Sequence, residues 1–395
     1  MTDFLFKQTT QVKGTLRQSH YGGVNLEDLL DREPINMDSE NVSAFIKSRK
    51  IMITGAAGSI GKQLVRQIIS FKPEQVVLID LAESGIYQME ADLKDILFSE
   101  TKIEIIPANI TDSHRMKHIF QKYQPQIVFH AAANKHVPMM EKHPYEAIKT
   151  NIFGTKLLAD LAIEYQIEKF VFISTDKAVN STNVMGATKR VGEMYLQNLN
   201  NKSGSTTQFI MIRFGNVLGT QGSAVPLFID QINEGGPVTI THPEVMRYFI
   251  TIQEACQLVL EAGAVGCAGE VFVLDMGEPV LIKDLAEKLI KLVASKVHIK
   301  LIYIGLRPGE KLLEERLRDD EKDKSTHHAK ITIARLTPVC SDTMNEMLLL
   351  LKRALEKGED DEMVSILKEI VPEYISNNSE FGKLDLLRES KSFKE

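Results

Sequence analysis

The chain has 395 residues, 43% hydrophobic and 25% charged. That length accommodates two or three domains with sizeable cores, and that balance excludes collagen-like, coiled-coil, low-complexity and disordered classes. Its 47 Lys and Arg against 53 Asp and Glu leave a formal charge of −6, which offers no bulk field to a nucleic acid but leaves room for a local basic pocket that takes one small anion. Cys256, Cys267 and Cys340 stand far apart and form no CxxC, so they predict buried thiols in a reducing cytoplasm rather than a disulfide framework or a zinc site. No apolar run approaches the ~18 residues that cross a bilayer. Met1 to Lys13 also lacks a signal-peptide core, so no membrane span and a cytoplasmic location are expected.

Residues 1–48 read as a separate leader: Gly22-Gly23 breaks the chain, Asn25 to Leu30 has room for one or two helical turns, and Asp38 or Ser39 can cap another helix. From residue 49, short β-branched runs alternate with longer amphipathic segments, as in βα units around a parallel sheet. Strands are predicted at Lys50 to Thr54, Gln75 to Asp80, Lys102 to Pro107, Ile127 to His130, Phe170 to Ser174 and Phe209 to Arg213. Between the first two, Ile60, Leu64, Val65, Ile68 and Ile69 recur at helical spacing. The fold expected is an α/β doubly wound parallel sheet over 49–215, completed by later segments. A smaller mixed α/β substrate lobe follows over 216–335, where Gly235-Gly236-Pro237, Thr241-His242-Pro243 and Arg307-Pro308-Gly309 interrupt the alternation. A helix pair, Met344 to Leu355 and Asp361 to Ile370, occupies 336–375, and the polar tail 376–395 is expected to be mobile. No repeat of fixed period points to a solenoid.

Directly after the first strand comes Thr54-Gly55-Ala56-Ala57-Gly58-Ser59-Ile60-Gly61. Glycines suit a tight turn that a ligand approaches closely, and the helix N-terminus behind it offers free N–H groups to a pyrophosphate. Gly55, Ala57, Gly58, Ser59, Ile60 and Gly61 are therefore assigned to a dinucleotide. Asp80, 19 residues past Gly61 at the end of the second strand, places a carboxylate for the adenosine ribose hydroxyls. Leu81-Ala82 follows it with no adjacent arginine, an arrangement that would repel a 2′-phosphate and favours NAD over NADP. Strand, glycine loop, helix and acid in this order predict a Rossmann fold.

The GxxGxxG spacing resembles the extended short-chain dehydrogenase/reductase family. So do Asn109-Ile110 after the third strand, where that family holds the adenine, and Ala131-Ala132-Ala133 after the fourth, small residues that let the backbone lie against the dinucleotide. Asn151, in Asn151-Ile152-Phe153-Gly154-Thr155, matches the family's helix asparagine. At the end of the fifth strand Ser174-Thr175-Asp176-Lys177 precedes Met185-Gly186-Ala187-Thr188-Lys189. Open α/β sheets place their chemistry at strand C-termini, and Met185 and Lys189, four apart, share a helix face. Most of the family has tyrosine where Met185 stands. Methionine exchanges no proton, so either another group is the base or the site is not an active oxidoreductase.

Thr175-Asp176-Lys177 stands where nucleotide-sugar 4,6-dehydratases carry Thr-Asp-Glu, the Asp acting as acid on the C6 hydroxyl and the Glu as base at C5. Ser174 to Ala178 together with Val184 to Lys189 is similar to the bacterial polysaccharide-biosynthesis UDP-N-acetylglucosamine 4,6-dehydratases, in their methionine-bearing, CapD-like branch. Ala133 to Pro138, Arg213 to Gly219, His242-Pro243, Arg247-Tyr248-Phe249 and Arg307 to Lys311 extend the match over roughly residues 24 to 375. Several members of that branch carry N-terminal membrane helices; none is read in this chain, which is expected to be a soluble relative or a soluble fragment.

The resemblance implies a lyase with bound NAD. Oxidation at C4 acidifies the C5 proton, Lys177 accepts it if cations or a dry pocket lower its pKa, and Asp176 protonates the departing C6 hydroxyl. Thr175 would relay the C4 hydroxyl proton to Asp176, while Lys189 would bind the nicotinamide ribose. Lys135, His136, Asn151, Asn216, Arg247, Arg307 and Glu310 are assigned to the UDP-sugar, the arginines to its diphosphate. A UDP-hexose epimerase and a catalytically silent binding protein are the rival readings. His327-His328 lacks a third ligand and reads as a solvated turn, not a metal site. Met139-Met140 and Met344 to Met347 read as core or interface packing, and a homo-oligomer is expected.

Overall fold

A computed structural model describes residues 20–21, 24–30, 39–93, 100–200, 206–294, 298–318, 321, 323–326, 328, 330–334 and 340–392. Gly22-Gly23, Asp38 and His327 lie outside the described residues. The main sheet contains β1 (Lys50–Thr54), β2 (Gln75–Asp80), β3 (Lys102–Pro107), β4 (Ile127–His130), β5 (Lys169–Ile173), β6 (Gln208–Arg213), β7 (Val271–Leu274), β8 (Asp323–Ser325) and β9 (Ile331–Ala334). Their spatial order is β8-β9-β7-β6-β5-β4-β1-β2-β3. Only the pairings of β9 with β7 and β8 are antiparallel. β5 and β6 begin one residue before the predicted bounds because Lys169 and Gln208 still pair with each other. Chain order reverses between β1 and β4, so the crevice for a ligand opens at their C-terminal ends.

Alternate strand residues feed two cores. Met52 and Val77 join the cluster on one face, and Ile51, Ile53, Val76 and Leu78 join that on the other. Burial on both faces explains why these strands read as continuous apolar runs. Helix α1 (Ser39–Ile46) adds Val42 and Ile46 to the second core, and α2 (Ser59–Ser70) buries Leu64, Val65, Ile68 and Ile69 there. The smaller lobe closes its own core around Phe228, Val238, Phe249, Ile282 and Leu289.

Three expectations are corrected. The described parts of the leader do not stand apart: Leu26 and Leu29 are buried in the lobe core, and α1 packs beneath the sheet. The tail is docked through residue 385. Phe381 is buried in the first core, Lys368 Nζ lies 2.6 Å from Asp385 Oδ1, and the Asn377 amide donates to the Glu310 carbonyl at 2.7 Å. Of the three thiols Cys256 is buried, whereas Cys267 and Cys340 are exposed. Met140 and Met344 are core residues, but Met139 is 52% exposed. Among the described residues no helix is long and apolar enough to cross a membrane, and no group of three or more His, Cys, Asp or Glu is arranged to hold a metal ion.

Candidate functional site

The glycine loop sits in the crevice between β1 and β4. Gly55 has φ +70°, and a Cβ there would lie 2.5 Å from the Ala132 nitrogen; a Cβ on Gly61 would lie 2.1 Å from the Gly55 carbonyl oxygen. Only glycine lets the loop, the Ala131-Ala132-Ala133 segment and the start of α2 close together. Gly58 caps α2 without a side-chain bond, leaving the helix N-terminus available to an anion. Asp80 accepts from the Ala57 N–H and the Ala82 N–H, both at 2.9 Å, so the same carboxylate fixes the loop and borders it. Asn109 accepts from the Thr111 N–H and hydroxyl, and Ile110 is buried against Gly154. These residues fit a dinucleotide, because the cradle exists only where side chains are missing.

Asn151 does not face a substrate. It is completely buried, its Oδ1 accepts from the Asn134 N–H at 2.8 Å, and its Nδ2 donates to the Asn134 carbonyl and to Thr188 Oγ1, each at 3.0 Å. With its amide fully engaged, it clamps the loop that carries Lys135 and His136. Lys135 Nζ in turn donates to the Gln221 carbonyl at 3.1 Å, and the His136 ring lies against Gly222.

Helix α3 (Val184–Asn200) packs against the turn after β5 so closely that a Cβ on Gly186 would lie 2.1 Å from the Lys177 carbonyl oxygen. Two neighbouring cavities, of about 330 and 210 Å³, share Lys177 and Asn216 in their walls. The larger runs past Thr175, Met185, Lys189, Ala131 and Ile60 toward the glycine loop, and the smaller runs toward Arg247, Arg307 and Glu310. Asp176 is 1% exposed and lies behind its neighbours. Its Oδ1 accepts from the Thr175 hydroxyl and from Lys177 Nζ, both at 3.0 Å, while its Oδ2 has no hydrogen-bond partner. Lys177 Nζ also donates to Asn216 Oδ1 at 3.1 Å and lies 3.5 Å from Glu314 Oε1.

Burial pushes the Asp176 carboxyl above the ordinary carboxylate range, against the pull of Lys177 and with the help of Glu314. Burial also works against the Lys177 charge, but Asp176 and Glu314 outweigh it and hold the ammonium above the ordinary lysine range. This reverses the lowered Lys177 expected from the sequence. Lys189, on the same cavity, is lowered instead: burial brings it to about 7, with Glu193 opposing, and burial lowers Lys135 as well. Its Nζ lies 3.9 Å over the Phe172 ring.

Arg247 and Glu310 are committed to each other at 3.1 Å. The Arg247 guanidinium also donates to the Met246 and Leu312 carbonyls, and Glu310 accepts from the Thr241 hydroxyl and the Arg307 N–H. The Arg247–Glu310 pair therefore frames the smaller cavity with its charge largely neutralised. Arg307 is exposed on the rim, where its guanidinium forms no ion pair among the described residues. Three further residues belong to the site. His130, completely buried and held well below its ordinary pKa by burial and then by Lys189, bridges the Thr54 and Thr155 hydroxyls at 2.7 and 2.9 Å. Glu193 takes the Ser174 hydroxyl at 2.6 Å and both arms of Arg213 at 2.7 Å, and Glu314 pairs Lys177. Glu193 continues the spacing of four from Met185 and Lys189, which is a usable signal; Glu314 has none beyond its place four residues after Glu310.

The family model described as a polysaccharide biosynthesis protein matches residues 51–336. The capsular polysaccharide biosynthesis protein CapD of Staphylococcus aureus is 47% identical, over 81% of this chain and 53% of the relative. The chain thus spans about half the length of that relative. A UDP-N-acetylglucosamine 4,6-dehydratase (inverting) of Campylobacter jejuni is 32% identical over 70% of this chain and 80% of its own length; a UDP-glucose 4-epimerase of Rickettsia canadensis is 33% identical over the same shares. Among solved structures, Pen from Bacillus thuringiensis superposes with a TM-score of 0.69 at 31% identity, covering 77% of this chain and 98% of that one.

Proposed function

The chain belongs to the polysaccharide biosynthesis protein family, and from that membership we propose that it dehydrates UDP-N-acetylglucosamine to the UDP-4-keto-6-deoxy sugar, with NAD as cofactor, for surface polysaccharide synthesis. The observation that carries this reading is the Asp176–Lys177 pair, 3.0 Å apart, set between a cavity that leads to the glycine loop and one that leads to Arg307. Bound NAD would supply the acceptor for the C4 hydride and its donor to C6. The residues of the chain then handle protons. Transfer of one proton from the Lys177 ammonium to Asp176 Oδ1 leaves an amine on the cavity wall and a protonated carboxyl behind it. Those are the base that takes the C5 proton and the acid that releases the C6 hydroxyl as water. The upward shift of Asp176 favours that transfer, and the upward shift of Lys177 opposes it.

Inversion at C4 alone needs neither an acid at C6 nor a base at C5, so this pair favours dehydration over epimerisation, which relatives of equal identity also perform by name. Asp80 bordering the loop would oppose a 2′-phosphate as like charge against like charge. NAD should therefore bind more tightly than NADP, and equal or tighter binding of NADP contradicts the assignment. Incubation with UDP-N-acetylglucosamine and NAD should yield a product lighter by one water in the mass spectrum. An unchanged mass sinks the reading.

A further inference from the structure

The proposed reaction begins by removing the C4 hydroxyl proton, and the residue at the usual base position, Met185, cannot take it. Lys189 lies one helical turn beyond Met185 on the same face of α3, and both side chains line the larger cavity. Lys189 is 5% exposed, and among the described residues its Nζ forms no hydrogen bond or ion pair; it lies over the face of Phe172 at 3.9 Å. The charges around it are accounted for. Glu193, on its own helix, is claimed by Arg213, Arg190 and the Ser174 hydroxyl, and His130, from β4, is buried between Thr54 and Thr155. A lysine whose nearest carboxylate is held by two arginines is free to exist as an amine, which agrees with the fall of its pKa to about 7.

We propose that Lys189 Nζ is the base that takes the C4 hydroxyl proton. The inference rests on the reading above, but only on its C4 oxidation. The O–H bond at C4 breaks and an N–H bond forms on Lys189, while the C4 hydride leaves for the nicotinamide. Asp176 is thereby left to exchange its proton with Lys177 and the C6 oxygen. As hydride returns to C6, Lys177 gives a proton back to C5; between turnovers Lys189 returns its proton to solvent, and Lys177 regains one from the same source.

The test combines a titration with single-turnover kinetics. In protein labelled with ¹⁵N-lysine and free of ligand, one amine absent from Lys189→Met should titrate near 7; a midpoint near the ordinary 10.5 overturns the proposal. Lys189→Met and Lys189→Arg should each slow C4 oxidation by about 10²- to 10⁴-fold, with affinity for UDP alone unchanged. Arginine keeps the cation but accepts no proton, so C4 oxidation within a few-fold of the parent in Lys189→Arg shows a positioning charge and overturns the proposal. An equal loss in Thr175→Val, with Lys189→Met near normal, assigns the proton to the Thr175–Asp176 relay and also overturns it. A parent protein that oxidises C4 without losing water defeats the dehydratase reading and leaves Lys189 standing.

Discussion

Lys177 and Lys189 both line the larger cavity, Lys189 buried and Lys177 half-buried, and their ammonium groups are shifted in opposite directions. Lys177 sits in a turn where Asp176 and Glu314 lie within 3.5 Å of its Nζ. Lys189 sits on a helix whose nearest carboxylate, Glu193, is turned away toward Arg213 and Arg190. Burial alone opposes the charge in both. The difference shows that the carboxylates left free to pair decide which lysine rests as a cation and which is poised to lose its proton near neutrality.

The most severe way to break the contrast is to remove the partner nearest Lys177. Asp176→Asn should lose about 10²- to 10⁴-fold in dehydration while UDP binding persists, as should Lys177→Ala; near-normal turnover in either would detach the pair from the chemistry. Stability gives a second handle, on the Lys189 side. Lys189 is depressed from 10.5 to about 7 on folding, so between those values the unfolded chain binds more protons and stability rises with pH. The penalty is complete below the folded value. Lys189→Met, which keeps an apolar contact with Phe172, should therefore be more stable than the parent in mild acid, by on the order of a few kcal/mol. That advantage should fade toward pH 10.5, and urea denaturation across that range measures it. A constant difference at every pH would mean that Lys189 folds with an ordinary pKa.

The gentlest change sharpens the comparison without abolishing it. Glu314→Gln keeps the shape of the buried side chain and removes one of the two charges that support Lys177, so the Lys177 amine should titrate at lower pH in ¹⁵N-lysine spectra. Asp176 remains to hold it, and the midpoint should stay above that of Lys189. No movement of the midpoint would show that Asp176 alone sets it.

What was legible in the sequence follows the same division between local and distant causes. The strands β1 to β4, the glycine loop and the spacing of Met185 and Lys189 depend on neighbours in the chain, and their pattern is written within a few residues. Asp176 and Lys177 could be placed at a strand end, but the sign of the Lys177 shift could not, because Glu314 arrives from a far loop that no short pattern links to it. Asn151 shows a related limit: an asparagine at a family position does not reveal that its amide is spent on the Asn134 backbone. Arg247 reads as a phosphate ligand until Glu310 and Glu314 are seen beside it. The docked tail is hidden because few apolar residues, Phe381 foremost, hold it together with ion pairs and side-chain hydrogen bonds to distant elements, in a segment whose composition is otherwise polar.

In the proposed dehydration one sugar loses water with its own C4 hydride returned to C6. UDP-N-acetylglucosamine carrying deuterium at C4 tests it directly, by mass and NMR of the product after incubation with the protein and NAD. The expected product is lighter by one water and carries the deuterium at C6. Deuterium still at C4 with no water lost, whether the configuration there is inverted or unchanged, would contradict it.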